Sequence, residues 1–418
     1  MSKFRLIGTH GESVGLALRL QQEGHDVSWY MEDKTGKNLY RGIIPRVDSP
    51  VVDIDRKTIL IFDTVKFGKQ ADALKKSGYK VYGGSQVADD LELDRSFGIP
   101  VAINTGIAVP DWEEFQDFKK AIAFVENSDC AWVFKPEYNK EGIQTYVSSN
   151  PEDMVEMLQY FSEIWKGGVD FILQKVVENG TEVSSEVWVC NGIIVPKSYN
   201  NTWETKRLMN DNLGPNTGCM SSTVKFDAVP WLYDETFEKL KPWLNAQKYN
   251  GPLDINCIID DSGKPYFLEW TARFGYSAIY ALIQGLNMEL GEFLEALAMG
   301  KIPDIEPVDG YLGALRVCIP PYPAEDCKVS EGQPVRGIED DHRIIPLDVK
   351  KENDRLLTAG YDGIICEVTH TEDSLLWLWD EIYEIAENLQ IPNKMYRTDV
   401  LENARNRIKE LGESNAVL

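Results

Sequence analysis

Two cations stand side by side at Lys206 and Arg207. Shortly after them the chain turns small and polar, with Gly214, Pro215, Asn216, Thr217 and Gly218 in the stretch "LGPNTGCMSS". Glycine lets the backbone come close to a ligand, and its N–H groups can hold phosphate or carboxylate oxygens. Gly and Pro at this density predict a loop, and loops held by a rigid scaffold carry chemistry. A second set is made of oxygen donors. "GPLDINCIIDDSGKPYFLEWTARFG" reads as a β-hairpin carrying Asp254, Asn256, Glu269 and Thr271. If Asp261 to Lys264 form a four-residue loop, Asn256 lies opposite Glu269, with Cβ atoms roughly 4.5–5.5 Å apart. Glu269 and Thr271 share one face of their strand, as do Asp254 and Asn256. Oxygen donors converging in this way suit Mg²⁺, which binds a few protein groups together with phosphates. A solvated sheet face of ordinary polar residues would show the same spacing.

Two further stretches are suggestive. "VFKPEYNKEG" places Lys135 at the end of an apolar strand, where it could reach a phosphate or simply lie on the surface. "FILQKVVENGTEVSSEVWV" ends a strand in Gln174, Lys175, Val176 and Val177, followed by Glu178 and Glu182. Exposed backbone groups in such a linker can read an adenine edge, and a carboxylate after it can accept from ribose hydroxyls. A plain turn at "ENGT" is the competing reading.

These residues need elements to position them. "FRLIGTHGESVGLALRLQQEGHDVSWYM" reads strand, Gly-rich turn, helix, strand, and "TILIFD" through "YKVYGG" repeats the cycle. The alternation predicts a parallel sheet with crossover helices. From about Trp132 the pattern becomes α+β. "WVFKPEY" and "IQTYVSS" are short strands, "PEDMVEMLQYFSEIWKGG" is an amphipathic helix, and "FILQKVV" and "EVSSEVWVCNGIIVP" are strands. From about Pro303 a third region carries "ALRVCIP" and "GIICEVT" and a long closing helix from about Asp373 to Leu389. The expected architecture is multidomain α/β and α+β. It divides into a Rossmann-like N-terminal domain (1–95), central lobes (96–302, the small lobe about 120–178) and a small C-terminal α+β domain (303–418).

Composition narrows the function. The net charge is -24 over 418 residues, without the basic patch of a nucleic-acid binder. That makes small molecules the expected partners and a modification acting on a DNA polymer the lesser alternative. The seven cysteines are scattered, with no C-x-x-C pair, so neither zinc nor a disulfide frame is indicated. A reducing cytoplasm fits. The chain starts straight into a strand with no signal-peptide pattern, and no run of about 20 apolar residues suggests a membrane span.

Taken together, the motifs resemble the ATP-grasp superfamily and, within it, the phosphoribosylamine–glycine ligases. The resemblance is carried by "KRLMNDNLGPNTGCM", "GKPYFLEWTARFG" and "QKVVENGTEVS", with echoes in "LIGTHGESVGLAL", "YGGSQVADDLELDRSFGIP" and "MYRTD" (Tyr396, Arg397, Asp399). It implies ATP-grasp central lobes, ATP with Mg²⁺ or Mn²⁺, and amide formation through an acyl phosphate between a small amino acid and an amine. The resemblance places Arg95 and Lys135 at the phosphates, Gln174 to Val177 at adenine and Glu182 at the ribose. Asn256, Glu269 and Thr271 would surround the metal. Arg273, Lys206, Arg207, Asn216 and Thr217 would serve the reacting groups. Gly214, Pro215 and Gly218, with Gly8, His10 and Gly11 of the first turn, would hold substrate.

The chain also departs from the family. Thr271 stands where the family usually has Asn, Arg95 where it has a lysine, and Gln174 and Lys175 where it has two acids. "GESVGL" replaces Gly-Arg-Glu-His in the turn that helps bind the family's amine substrate, which suggests an altered acceptor. Two other classes are weighed. A non-catalytic ATP-binding regulator of the same fold would bind ATP without turnover. A nicotinamide oxidoreductase would explain "GTHGESVG", but the regular G-x-G-x-x-G spacing is missing. Lys135 and Glu269 would also go unused. A monomer or a homodimer is expected.

Overall fold

In the computed structural model the described residues are 1–137, 145–165, 170–324, 327–338 and 341–411. Residues 138–144 and 166–168 of the stretches read above lie outside them. The chain divides into two units, where the sequence reading draws three segments. Unit 1 comprises Met1–Asp89, Val183–Ile255 and Thr271–Leu418, and unit 2 comprises Asp90–Glu182 and Asn256–Trp270.

Unit 1 opens with β1 (Lys3–Gly8), α1 (Val14–Gln22), β2 (Asp26–Met31), β3 (Ile59–Phe62), α2 (Gly68–Lys76) and β4 (Lys80–Tyr82). The strands form a parallel sheet in the order β2-β1-β3-β4, as the βαβ alternation predicts. β3, "ILIF", is buried throughout, which a sheet covered on both faces demands. α3 (Gln86–Leu93) runs from unit 1 into unit 2.

Unit 2 continues with α4 (Arg95–Asn104), β5 (Trp112–Phe115), α5 (Phe118–Glu126), β6 (Trp132–Pro136), β7 (Tyr146–Val147), α6 (Pro151–Ile164) and β8 (Phe171–Lys175). Its antiparallel sheet has the order β5-β8-β6-β7. α6 starts where Asn150 accepts from the Asp153 N–H at 2.9 Å, with Pro151 in the first turn. Phe115, Trp132, Phe134, Phe171 and Leu173 pack against α5 and α6 in one aromatic core.

The remaining elements are β9 (Thr181–Cys190), β10 (Ile193–Ile194), β11 (Asn200–Met209), β12 (Leu213–Phe226), α7 (Pro230–Glu235), α8 (Phe237–Gln247), β13 (Gly251–Ile259) and β14 (Pro265–Thr271). After them come α9 (Ala278–Gln284), α10 (Leu290–Ala298), β15 (Tyr311–Cys318), β16 (Ile344–Pro346), β17 (Val349–Glu352), β18 (Arg355–Thr358), β19 (Ile364–Glu372), α11 (Leu375–Asn388) and α12 (Val400–Glu410). In unit 1 the strands run β13-β9-β11-β12-β15-β19-β16, with β10 on β9. The C-terminal strands β15, β19 and β16 therefore extend the sheet of β9, β11 and β12 and form no sheet of their own. Among the described C-terminal strands, only the hairpin β17-β18 stands apart.

Candidate functional site

Unit 2 is the simplest place to begin. β8 alternates, so Phe171 and Leu173 enter the aromatic core while Ile172 and Gln174 face the other way. β6 does the same. Trp132 and Phe134 enter the core, while Val133 and Lys135, paired with Gln174 and Ile172, face away from it. Lys135 is 7 % exposed, and its ammonium donates to the Leu268 carbonyl at 3.1 Å. It is not a surface lysine. Burial of a lysine is costly and unusual unless a partner or function holds it there. Arg95 begins α4, whose N-cap Asp94 accepts from the Phe97 N–H at 3.1 Å. Arg95 lies in the neighbourhood of Glu137, whose carboxyl is pushed up by burial and by Asp94, Asp170 and Glu114, with the guanidinium opposing the rise.

The linker after β8 is less open than the sequence reading expects. The Lys175 N–H donates to Asp111 at 2.8 Å and the Val176 N–H to Ala131 at 3.0 Å. Those two donors are used by the fold. The Val177 N–H makes no such bond among the described residues. The "ENGT" turn does form, with Asn179 in the left-handed region, and Glu182 follows it at the start of β9.

The hairpin forms as expected, but its turn is shorter. The Asp260 N–H donates to Lys264 at 3.0 Å and the Gly263 N–H to Asp260 at 2.8 Å, closing a loop of Asp261, Ser262 and Gly263. Gly263 at φ 81° supplies the left-handed residue this turn requires. The opposition of Asn256 and Glu269 presumed a loop one residue longer, so the turn does not set that pairing. Asn256 is buried, Glu269 is exposed and Thr271 is half-buried two residues on, on the same face of β14 as Glu269. One carboxylate with an amide and a hydroxyl oxygen is a hard donor set that fits Mg²⁺ where phosphates complete the shell.

In unit 1 the paired strands put a row of polar side chains on one sheet face. Following the register from β9 to β19, Glu186, Ser184, Thr202, Glu204, Ser222, Arg316 and Glu367 all point to it. All but Glu204 are buried, an arrangement that stability alone does not favour. Glu186 accepts from the Trp188 indole N–H at 2.7 Å and from the Gly275 N–H at 3.0 Å. Burial nevertheless pushes its carboxyl up to about 7. Arg316 donates to Glu367 at 3.0 Å, to Ser277 at 3.2 Å and to the Tyr322 hydroxyl at 3.4 Å. Asp254 is raised by burial despite the Ser184 hydroxyl that it accepts. Asp63 is likewise raised by burial, opposed by the Tyr276 hydroxyl and by the Arg273 charge. Sequence reasoning missed Glu186, Arg316, Glu367 and Asp63. For Arg316 and Glu367 the signal was there: each is a lone charge inside an apolar run, "ALRVCIP" and "GIICEVT".

The stretch "LGPNTGCMSS" is not a loop, which corrects the sequence reading. It is the first part of β12, paired with β11 through Arg207↔Asn216 and Met209↔Leu213. The turn is "NDN", where Asp211 and Asn212 take φ 57° and 54°. Gly214 has φ 80°, and two register shifts let the arm absorb it. Arg207 is exposed and donates across the arm to the Gly214 carbonyl at 2.8 Å, while the Thr217 hydroxyl donates to the Lys206 carbonyl at 2.7 Å. Lys206 lies 3.6 Å from Glu204. Asn216, Pro215 and Gly218 are exposed. Nothing stands within 4 Å of where a Gly218 Cβ would be, so packing does not require glycine there. The arm is braced by "MYRTD". Buried Arg397 donates to the Arg207 carbonyl at 2.9 Å, to Asn212 at 3.2 Å and to Asp399 at 2.7 Å, and Asp399 accepts from the Asp211 N–H at 2.9 Å.

The first turn, with Gly8, His10 and Gly11, is also tightly held. A Cβ on Gly11 would stand 2.5 Å from Leu39, so close packing explains that glycine. His10 is exposed, 3.1 Å from the Tyr361 hydroxyl. A cavity of about 30 Å³ beside this turn is lined by Glu12, Arg316, Asp348, Asp362, Tyr276 and Tyr361 among others. That is room for a water or two. Asp348 accepts from the N–H groups of Tyr361, Asp362 and Gly363. A larger groove of about 1010 Å³, between Ile193, Tyr199, Phe226, Tyr233 and Pro307, holds none of the residues singled out from the sequence. Glu23, His25 and Glu289 approach within 4.8 Å of one another. Glu23 is accounted for as a helix cap, accepting from Leu290 and Gly291 at the start of α10.

Comparison with known proteins adds an independent line. Residues 94–278 match the family model for the phosphoribosylglycinamide synthetase ATP-grasp (A) domain. Over 97 % of this chain and all of the relative, the sequence is 22 % identical to the phosphoribosylamine–glycine ligase of Neisseria meningitidis serogroup B. It is 23 % identical to that of Halalkalibacterium halodurans over 79 % of this chain and 78 % of the relative. The crystal structure of phosphoribosylamine–glycine ligase from Thermotoga maritima superposes with a TM-score of 0.76 at 19 % identity, covering 95 % of this chain and 99 % of that one. The biotin carboxylase domain of Hydrogenobacter thermophilus 2-oxoglutarate carboxylase, solved with MgADP and bicarbonate, superposes at 0.66 and 13 % identity, covering 97 % and 98 %.

Proposed function

We propose that this chain, which carries an ATP-grasp domain over residues 94–278, is an ATP-dependent carboxylate–amine ligase. It joins glycine or another small amino acid to an amine of the phosphoribosylamine type. The carboxylate takes the γ-phosphoryl group and ADP leaves. The amine then attacks the acyl carbon, phosphate leaves and an amide remains. The observation that carries the reading is Lys135, a buried cation held against the strand of Glu269. It sits on the one face of its sheet that α5 and α6 leave bare.

The residues take roles that follow from their chemistry. Lys135 and Arg95 neutralise phosphate oxygens, the largest electrostatic need of phosphoryl transfer. Asn256, Glu269 and Thr271 hold Mg²⁺, or Mn²⁺ in its place. When bound, the ion neutralises charge on the transferring phosphates. Val177 and Gln174 face the base and Glu182 the ribose, while exposed Lys175 and half-buried Val176 keep the linker in place. Arg273, Lys206 and Arg207 offer positive charge to the acyl phosphate and its adduct. Asn216 and Thr217 orient the substrate. Gly214, Pro215 and Gly218 let it approach the arm, and Gly8, His10 and Gly11 border the acceptor.

One observation favours an acceptor different from phosphoribosylamine. The cavity beside the first turn presents Glu12, Asp348 and Asp362, and its guanidinium, Arg316, is already committed to Glu367. Three carboxylates around room for only a water or two disfavour a phosphate beside this turn. Amino-acid-dependent ADP release is the test, with Mg²⁺-ATP, a panel of amino acids and hydroxylamine as surrogate amine. Hydroxamate with one amino acid supports the ligase and names its donor. ATP binding with neither ADP nor hydroxamate, even with phosphoribosylamine and other phosphorylated amines added, would leave a non-catalytic nucleotide binder.

A further inference from the structure

The chain carries a net charge of -24, yet one pocket of unit 1 reverses the sign. It holds about 520 Å³, within the ~300–1,000 Å³ of small-molecule sites. Among the described residues it is lined by Lys34, Lys37 and Lys328, with Asn38 and one carboxylate, Glu331. That carboxylate is already engaged. Glu331 accepts from buried Lys350 at 2.7 Å and from the Asn38 amide at 2.8 Å. Neither Lys34 nor Lys37 is ion-paired among the described residues. Lys34 lies over the Tyr30 ring, 5.1 Å from its centre.

The walls of the pocket are fixed. Arg46 donates to the Gly36 carbonyl at 2.6 Å and to the Asp33 carbonyl at 2.8 Å, and Asp33 accepts from the Thr35 N–H at 2.7 Å. A Cβ on Gly36 would stand 2.7 Å from Met31, and one on Gly360 2.7 Å from Glu331. Lys34 and Lys37 therefore hang on a loop that is ordered before any ligand arrives, which lowers the cost of binding. Its place in the sheet points to a ligand. The loop follows the carboxyl end of β2 as the first turn follows that of β1, and the two strands are parallel neighbours. Ligands of open α/β sheets gather outside those ends. Tyr361 joins loop and turn. One edge of its ring is 3.6 Å from a Cβ on Gly11, the other 2.8 Å from one on Gly36, and its hydroxyl donates to Asp33 at 2.9 Å.

We propose that Lys34, Lys37 and Lys328 form an anion site that takes a phosphate group of a small molecule, other than the phosphates of ATP. None of the three belongs to the motifs that carry the family resemblance. Two sources share this chemistry: the acceptor's own phosphate, reaching past Tyr361 from the first turn, and a separate phosphorylated effector.

Inorganic pyrophosphate is the probe, titrated calorimetrically into the intact chain. Wild type should bind it, and Lys34→Gln with Lys37→Gln should weaken that binding about tenfold or more, as for loss of charged hydrogen bonds. Lys34→Arg with Lys37→Arg should restore it. Both lysines are exposed, so the urea midpoints should not move. Lys135→Met should keep the site that the glutamine pair loses. No binding by wild type, or binding that the glutamine pair leaves intact, overturns the assignment. These outcomes do not depend on the ligase reading. Where ADP release occurs, hydroxylamine, which carries no phosphate, separates the sources. Pyrophosphate that changes the hydroxylamine rate acts as an effector. Pyrophosphate that leaves it alone and slows only the reaction with phosphoribosylamine occupies the acceptor's phosphate position. Either effect should vanish in the glutamine pair, and one that persists there overturns the site.

Discussion

Replacing Glu186 with Gln should make the protein's stability markedly less sensitive to pH. In the fold its carboxyl is raised from 4.5 to about 7 by burial, although Gly275 and Trp188 both donate to it. The unfolded chain releases this proton near 4.5, and the folded chain holds it until about 7. Between those values the native state binds more protons. Stability therefore falls as pH rises, and the contribution is fully present only below the lower value. At about 1.36 kcal/mol per pH unit the whole interval is worth about 3 kcal/mol, of which about 2 kcal/mol lies between pH 5.5 and 8. Glu186→Gln cannot titrate. Its carboxamide is nearly the shape of the protonated acid, so the variant should already lead by about 1 kcal/mol at pH 5.5, where wild type has lost the first part of the interval. At pH 8 the variant should be the more stable by about 2 kcal/mol more than at pH 5.5. Urea unfolding of both proteins at the two pH values, without nucleotide or divalent ion, reads this directly. Asp63 and Asp254 are also raised, but they are present in both proteins and largely cancel in the comparison. A stability gap that is the same at both pH values would refute the claim that burial holds Glu186 protonated.

Three further outcomes follow from the geometry. Lys135→Met keeps most of the buried volume and removes the charge. ADP release should fall by about 10²–10³-fold with an unchanged urea midpoint, and a loss of less than about tenfold would remove Lys135 from phosphoryl transfer. Glu269→Gln should raise the Mg²⁺ concentration needed for half-maximal ADP release about tenfold or more, as expected for loss of the one charged donor. An unchanged Mg²⁺ titration would place the ion elsewhere. Arg397→Met removes the guanidinium that holds Asp399 and braces the arm; Asp399 keeps the Asp211 N–H, so the cost should be about 2–3 kcal/mol. Limited trypsin digestion should then cut faster after Lys206 and Arg207, and an unaltered cleavage rate would show that the arm holds itself.

The elements legible in the sequence were those whose faces differ. α1, α6 and the strands β1 to β4 show burial patterns that composition alone reveals, and "DDSG" punctuates its hairpin even though the turn is one residue tighter than expected. The arm was misread because most residues from Leu213 to Gly218 are exposed. A strand with solvent on both faces has no apolar alternation to display, so glycine and proline dominate its appearance. The true signal was the pair Asp211 and Asn212, residues that tolerate the left-handed region. Arg316 and Glu367 were missed for another reason. Each looks like an error in an apolar strand until β15 and β19 are laid side by side and the two charges meet. Lys135 was ambiguous because its strand shows which residues alternate without showing which face is covered.

The brace on the arm has a consequence in time. Arg207 and Arg397 are 190 residues apart, and the carbonyl of the first is held by the guanidinium of the second. At a synthesis rate of about 5–20 residues per second, the Lys206–Arg207 hairpin waits roughly 10–40 s after it is made before its anchor exists. During that interval the nascent chain carries β11 and β12 without their clamp. The arm that carries Gly214 and Gly218 is thus set in place among the last, by a segment that follows the whole of its sheet.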